Sequence, residues 1–343
     1  MSTLTRLDKS NVYGSAVDLA KQVGHAWKEA QQVVVPESYR SFNKIVMCGM
    51  GGSILGARLI ESVFAEELAW PLILVNDYQL PGWVDKQTLV ICSSYSGATE
   101  ETLANFKQAL AKQAKLMVIT AGGELLAAAS ANHIPVYKID PVFNPSKQPR
   151  MAIGYSVIGQ LVLCHKAGLL NLTQVIIDGL VRVMDQVKPE TAEAFAAKLE
   201  NKQVILVAGE HLTGPAHTVK NQMNENAKHL SHRHDLPELN HHLMEGLRFP
   251  QSNPDSTMFW FVSSSLYSAR LQQRLSLTRE VVAKNKLTSV TWEATAKTKL
   301  AQAFELIQFG AYVNFYLSQL HQIDPAPIPW VDYFKQRLRG LSS

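Results

Sequence analysis

The sequence predicts an α/β fold whose parallel sheets are covered by helices on both faces, repeated in two halves. Three observations carry this. Short apolar runs recur at the spacing of strand–helix units. Each run stops at a turn bearing Gly or Ser, and a helix-like stretch follows. The pattern pauses near residue 150 and restarts near residue 203.

Taken in order, residues 15–32 read as a lead-in helix that Pro36 ends. KIVMC (44–48) is the first strand and runs into GMGGS; a helix spans 54–64. PLILVN (71–76) and QTLVIC (87–92) are strands, the latter ending at SSYSGATEET before a helix at 99–112. KLMVIT (115–120), an Ala-rich helix and IPVYKI (134–139) complete the first set. The proline-bearing stretch 140–150 reads as a loop, 152–170 as a long helix, and 173–200 as helix broken at Pro189. QVILVA (203–208), a helix over 217–230, TMFWFV (257–262), a weaker strand at 288–292 and an amphipathic helix at 301–320 form the second set. The expected division is an N-terminal unit over 1–150, a helical connection over 151–200 and a C-terminal unit over 201–343.

Composition bounds the class. A chain of 343 residues is long enough for two domains of about 150 residues. Its net charge of +4 is too weak to point to nucleic acid or a membrane surface. The three cysteines, Cys48, Cys92 and Cys164, form neither a disulfide framework nor a CxxC knuckle. The opening MSTLTRLDKSNVYGS lacks an apolar core, and no run reaches the ~18 apolar residues of a membrane span. A cytoplasmic protein is expected.

Two loops carry the first chemistry. In GMGGS, Gly51 and Gly52 let backbone amides approach an anion at a helix start, and Ser53 adds a hydroxyl. SSYSGAT repeats the arrangement with Ser94, Ser96 and Thr99. Loops at the carboxyl ends of parallel strands are where open α/β sheets bind ligands, and two of them can encircle one phosphate. Ordinary helix capping is the bland alternative for any single hydroxyl. GMGGSILG also approaches GxGxxG, with Asp77 downstream, but position 54 is Ile. A nicotinamide-dependent oxidoreductase is therefore a weaker reading.

The stretch 220–246 is the most unusual. Asn221, Glu225 and Lys228 fall on one helical face without an apolar stripe. The bland alternative pairs Glu225 with Lys228 or His229 on a solvated surface. Five histidines between 229 and 242 raise zinc, but their spacing matches no ligand pattern, so ordinary hydrogen-bonded histidines are expected.

Together these segments resemble the bifunctional phosphoglucose/phosphomannose isomerases, built from two sugar-isomerase (SIS) domains of flavodoxin-like topology. The matching segments are GMGGS (49–53), SSYSGATEETL (93–103), PR (149–150), KNQMNENAK (220–228), PELNHH (237–242) and IDPAPIPWVDYFKQRL (323–338). The resemblance implies that Gly51, Gly52, Ser53, Ser94, Ser96 and Thr99 hold the phosphate of a hexose 6-phosphate. It makes Glu225 the proton-transferring base and Arg150 the stabiliser of the intermediate's charge. His241 and Lys335 would open the sugar ring, His241 reaching the site from the second subunit of a homodimer. The implied reaction interconverts glucose 6-phosphate and fructose 6-phosphate, with mannose 6-phosphate as a further substrate, and needs no metal or organic cofactor. A non-catalytic sugar-phosphate-binding regulator is the alternative.

Overall fold

The computed structural model describes residues 7–340. The first sheet contains β1 (Lys44–Cys48), β2 (Leu72–Val75), β3 (Thr88–Ser93), β4 (Lys115–Thr120) and β5 (Val136–Lys138). Its strand order is β2-β1-β3-β4-β5, with every pairing parallel. The runs KIVMC, TLVICS and KLMVIT are apolar without alternation because both faces are covered. Ile45, Met47, Leu89, Ile91 and Met117 enter one buried cluster; Val46, Cys48, Val90, Cys92 and Val118 enter the other.

The helices divide accordingly. On the first face lie α1 (Val12–Val17), α2 (Leu19–Ala30), α3 (Leu55–Val63) and α6 (Ile153–Lys166); on the second lie α4 (Glu100–Ala111) and α5 (Gly123–Ala131). The lead-in helix expected over 15–32 is two helices meeting at Asp18. Upstream, the Asp8 carboxylate accepts from the Val12 and Tyr13 amides and closes the entry turn.

After α7 (Gln174–Asp185) and α8 (Pro189–Ala196), the pattern restarts with β6 (Gln203–Gly209), α9 (Thr213–Asn226) and β7 (Ser231–Leu236). Two short turns follow, α10 (Leu243–Gly246) and α11 (Asn253–Ser256), then β8 (Thr257–Ser264), α12 (Ala269–Lys284), β9 (Thr288–Ala294), α13 (Lys299–Leu320) and α14 (Pro329–Arg339). The second sheet runs β7-β6-β8-β9, again parallel, which repeats the order of the first without its last strand. In both sheets the order reverses beside the first strand, and that reversal is where open α/β sheets leave a crevice for ligands.

One expectation is corrected. The helix predicted over 217–230 ends at Asn226, and SHRHDL, assigned no element from the sequence, is an edge strand. Polar side chains hid it: β7 gains its backbone pairing from β6 and needs no apolar run on its uncovered side. Lys228 therefore lies beyond the helix at φ 51°, not on the face of Glu225.

Helix α13 is buried from Leu300 to Ser318 and packs against α1, α7, α8 and α9. Its polar side chains are partnered: Gln308 Nε2 donates to the Ala16 carbonyl, and Asn314 Nδ2 donates to the Val219 carbonyl.

Two glycines in the ligand loops give a test of backbone constraint. Gly97 adopts φ +67°, and a Cβ there would stand 1.8 Å from the Gly122 carbonyl oxygen. Gly51 adopts φ +51° in open space. Gly51→Ala is expected to cost only the left-handed backbone, about 1–2 kcal/mol. Gly97→Ala adds a backbone clash and should lower the melting temperature by more; thermal melts of the two variants check the order.

Candidate active site

The loops after β1 and β3 sit side by side at the strand-order reversal. The Tyr95 amide donates to Ser53 Oγ at 3.0 Å and ties them together. Ser94 Oγ and Thr99 Oγ1 share a hydrogen bond of 2.8 Å, and the Gly97 amide donates to Ser94 Oγ at 3.1 Å. Thr99 makes no side-chain cap to α4, so the capping alternative fails at that residue. The Ala98 amide donates to Ser96 Oγ at 3.3 Å. Ser53 and Ser96 are thus used only as acceptors, and the Ser94–Thr99 pair holds one hydroxyl hydrogen in reserve. Three O–H donors remain for an anion. Helix α6 braces the first loop from behind, where Gln160 Nε2 donates to the Ser53 carbonyl at 2.7 Å.

Arg150 enters from the 3-10 turn Pro149–Met151, whose backbone packs on the same loop. A Cβ on Gly52 would lie 3.4 Å from Arg150 Cα. The guanidinium is 4% exposed and held by neutral acceptors. Its Nε donates to Asn226 Oδ1 at 2.5 Å and Nη1 to Gln148 Oε1 at 2.9 Å. Nη2 donates to the Pro325 and Ala326 carbonyls at 2.9 and 2.7 Å. Burial lowers its proton affinity, and Glu225 and Asp332 oppose that.

Glu225, near the C-terminal end of α9, places Oε2 3.9 Å from Arg150 Nε. Burial raises its carboxyl above the ordinary carboxylate value, against the pull of Arg150, Lys335, Lys228 and Lys220. The surface pairing with Lys228 or His229 does not form: Lys228 Nζ donates to the Pro325 carbonyl at 2.7 Å. His229 donates from Nε2 to the Lys202 carbonyl, which leaves Nδ1 to accept from His321 Nε2–H at 2.9 Å. The segment 321–326 is therefore held by Arg150, Lys228 and His229.

A carboxylate with raised proton affinity, a buried cation beside it and a nearby pair of loops with spare hydroxyl donors are groups suited to acid–base chemistry on an anionic molecule. The family described as bacterial phospho-glucose isomerase C-terminal SIS domain matches residues 188–338. A bifunctional phosphoglucose/phosphomannose isomerase of Caldicellulosiruptor bescii is 32% identical, over 96% of this chain and 99% of the relative. The chain belongs to the bifunctional phosphoglucose/phosphomannose isomerase family. A second such isomerase, from Aquifex aeolicus, is 27% identical over 91% of this chain and 94% of its own. Among solved structures, a hypothetical protein of Thermus thermophilus superposes with TM-score 0.75 at 17% identity, covering 99% of this chain and 92% of its own. That likeness concerns the fold.

The other residues expected of a family member fall in two places. Lys335, on α14, lies close enough for its charge to favour ionised Glu225. His241 does not reach Glu225 within one chain. Asn224 Oδ1 accepts from the Ser231 amide at 2.9 Å, so the end of α9 meets the start of β7. His241 follows the far end of β7, exposed, on a turn anchored to α12 through Asn240 and Thr278. Among the described residues, no group of three or more His, Cys, Asp or Glu side chains is placed to hold a metal ion. No helix among them is long and apolar enough to cross a membrane.

Sequence reasoning placed Lys228 only as a helix-face or surface partner of Glu225, and it missed Gln148, Asn226 and the 325–326 carbonyls. Carbonyls have no sequence signature, but the left-handed Lys228 follows the end of a helix that stops four residues sooner than expected. Burial, then Arg150, pushes Lys228 down to about 8, and its charge favours the ionised form of Glu225. Lys228→Met removes a cation that favours ionised Glu225. The acidic limb of the isomerase pH profile should move upward, by at most about one unit. Steady-state kcat/KM against pH checks the direction.

Proposed function

We propose that the chain interconverts glucose 6-phosphate and fructose 6-phosphate, with mannose 6-phosphate as a further substrate, through a cis-enediolate with Glu225 as base. The observation that carries this is the partly buried Glu225 carboxylate, 3.9 Å from a fixed guanidinium and served by two phosphate-type loops. The names of the relatives support the substrate class.

In this reading the hydroxyls of Ser53, Ser96 and the Ser94–Thr99 pair, with the amides near Gly51 and Gly52, hold the phosphate. Remote binding then positions the reacting carbons. Glu225 takes the proton from C2 of the opened aldose and returns it to C1. Its raised proton affinity makes it a better base than an ordinary carboxylate. Arg150 faces the oxygen that gains negative charge; its hydrogen bonds fix it beforehand, so little reorganisation is needed. Mannose 6-phosphate requires return of the proton to the opposite face of C2, after rotation of the planar intermediate.

Ring opening falls to Lys335 and to His241 of a second copy. Two features support a homodimer: His241 is displaced from its own Glu225, and α14 turns Trp330 (81% exposed) and Phe334 (64% exposed) to solvent. The two sheets and their helices are read as units 1–150 and 201–343 joined by 151–200.

Two experiments test this. Glu225→Gln should reduce fructose 6-phosphate isomerisation by about a thousandfold or more while substrate still binds. Equal activity would remove Glu225 from the chemistry. Mixing inactive Glu225→Gln with inactive His241→Ala should restore roughly a quarter of wild-type activity, since a shared two-fold site regenerates one intact centre per hybrid. No recovery would place His241 outside the site.

A further inference from the structure

A basic cavity of about 370 Å³ opens beside β7, lined by His217, Lys220, Ser231, His232, Arg233 and His234. It is walled by α9 and the uncovered edge of the second sheet, and Ser53, Ser94, Ser96 and Thr99 are not among its lining residues. We propose that this cavity is a second anion site, which takes a small molecule bearing a phosphoryl group.

The argument begins with unmet valences. Among the described residues, neither the Lys220 ammonium nor the His217 ring has a hydrogen bond or ion pair, although both side chains are partly buried. A partly buried ammonium without a counter-ion is a standing cost that an anion relieves. Arg233 is held in place from behind: Nη1 donates to the Thr213 carbonyl at 2.6 Å, and Nη2 pairs with Asp235 at 2.9 Å. Arg58, on α3, adds a further cation; it donates from Nη2 to Asn76 Oδ1, and its buried Nε has no partner.

The charges do not cancel. Lys220 is pushed down by burial and then by Arg233 and Arg58, while Glu225 works against this. Burial, followed by Arg58, Lys220 and Arg233, pushes His217 down to about 3. The acids facing the cluster are Asp235, already paired with Arg233, Glu61, near Arg58 and Arg233, and Glu225, which acts on Lys220. Donors converge from two helices and a strand, which suits a tetrahedral oxyanion better than a planar carboxylate. The volume exceeds that of one such ion and lies within the range of small-molecule pockets, about 300–1,000 Å³.

Occupancy also reaches the chemistry. Lys220 is one of the cations that favour ionised Glu225, and an anion paired with it weakens that influence. This coupling, unlike the binding itself, rests on the role of Glu225 proposed above.

Lys220→Met is the probe, since the ammonium makes no hydrogen bond or ion pair among the described residues. Calorimetric titration of the full chain with inorganic phosphate, then pyrophosphate, at constant ionic strength in chloride, reads the sites directly. Wild type is expected to take two phosphates per chain. Lys220→Met should take one, or bind the second roughly tenfold more weakly. One phosphate in wild type, unchanged in Lys220→Met, overturns the proposal. One in wild type that disappears in Lys220→Met keeps the cavity and removes the serine loops as the phosphate site. Tighter pyrophosphate binding at the Lys220-dependent site would favour a phosphorylated metabolite as its ligand; equal binding would leave free phosphate as the occupant and overturn the larger one.

Discussion

The buried Arg150 guanidinium is the constraint on which the site depends. A cation removed from water must be compensated, and here nearly all the compensation is by neutral groups: two amide side chains and two carbonyls. Those acceptors come from the loop before α6, the end of α9 and the segment after α13. The same contact therefore closes the site and joins three distant stretches of chain. Glu225, at 3.9 Å, is the one carboxylate in an ion pair with this guanidinium among the described residues. Its mild separation leaves the carboxyl above the usual range instead of locking it ionised.

Lys228 shares the Pro325 carbonyl with Arg150. Two cations on one carbonyl repel each other, and this repulsion adds to burial in lowering the proton affinity of Lys228. The arrangement persists because each ammonium or guanidinium has further acceptors: Asn226 and Asp324 carbonyls for Lys228, Gln148 and Ala326 for Arg150. The C-terminal helix bearing Lys335 hangs from this junction.

Much of the fold was legible because its physics is local. KIVMC and KLMVIT are strands at the residues expected, since a strand buried on both faces must be apolar throughout. The turns at 49–53 and 93–99 were legible as strand-to-helix loops because each apolar run stops there at glycine and serine. SHRHDL was not, because an edge strand can be polar and still pair. Nor was the partnering of Arg150, since backbone carbonyls at 325–326 and the amides of Gln148 and Asn226 come together only through tertiary structure. Residue types mark what can do chemistry; the long-range contacts decide what stands beside it.

The sealed helix α13 has a mechanical consequence. It touches α1 from the N-terminal end and α7, α8 and α9 from the middle of the chain, with its side chains buried for most of its length. Swinging the halves apart like a clam shell would drag the side of this rod that meets α1 into water and strand the amide of Gln308. Traffic into and out of the cleft must then rely on smaller parts, and α14, with Trp330, Tyr333 and Phe334 turned to solvent, is one such part.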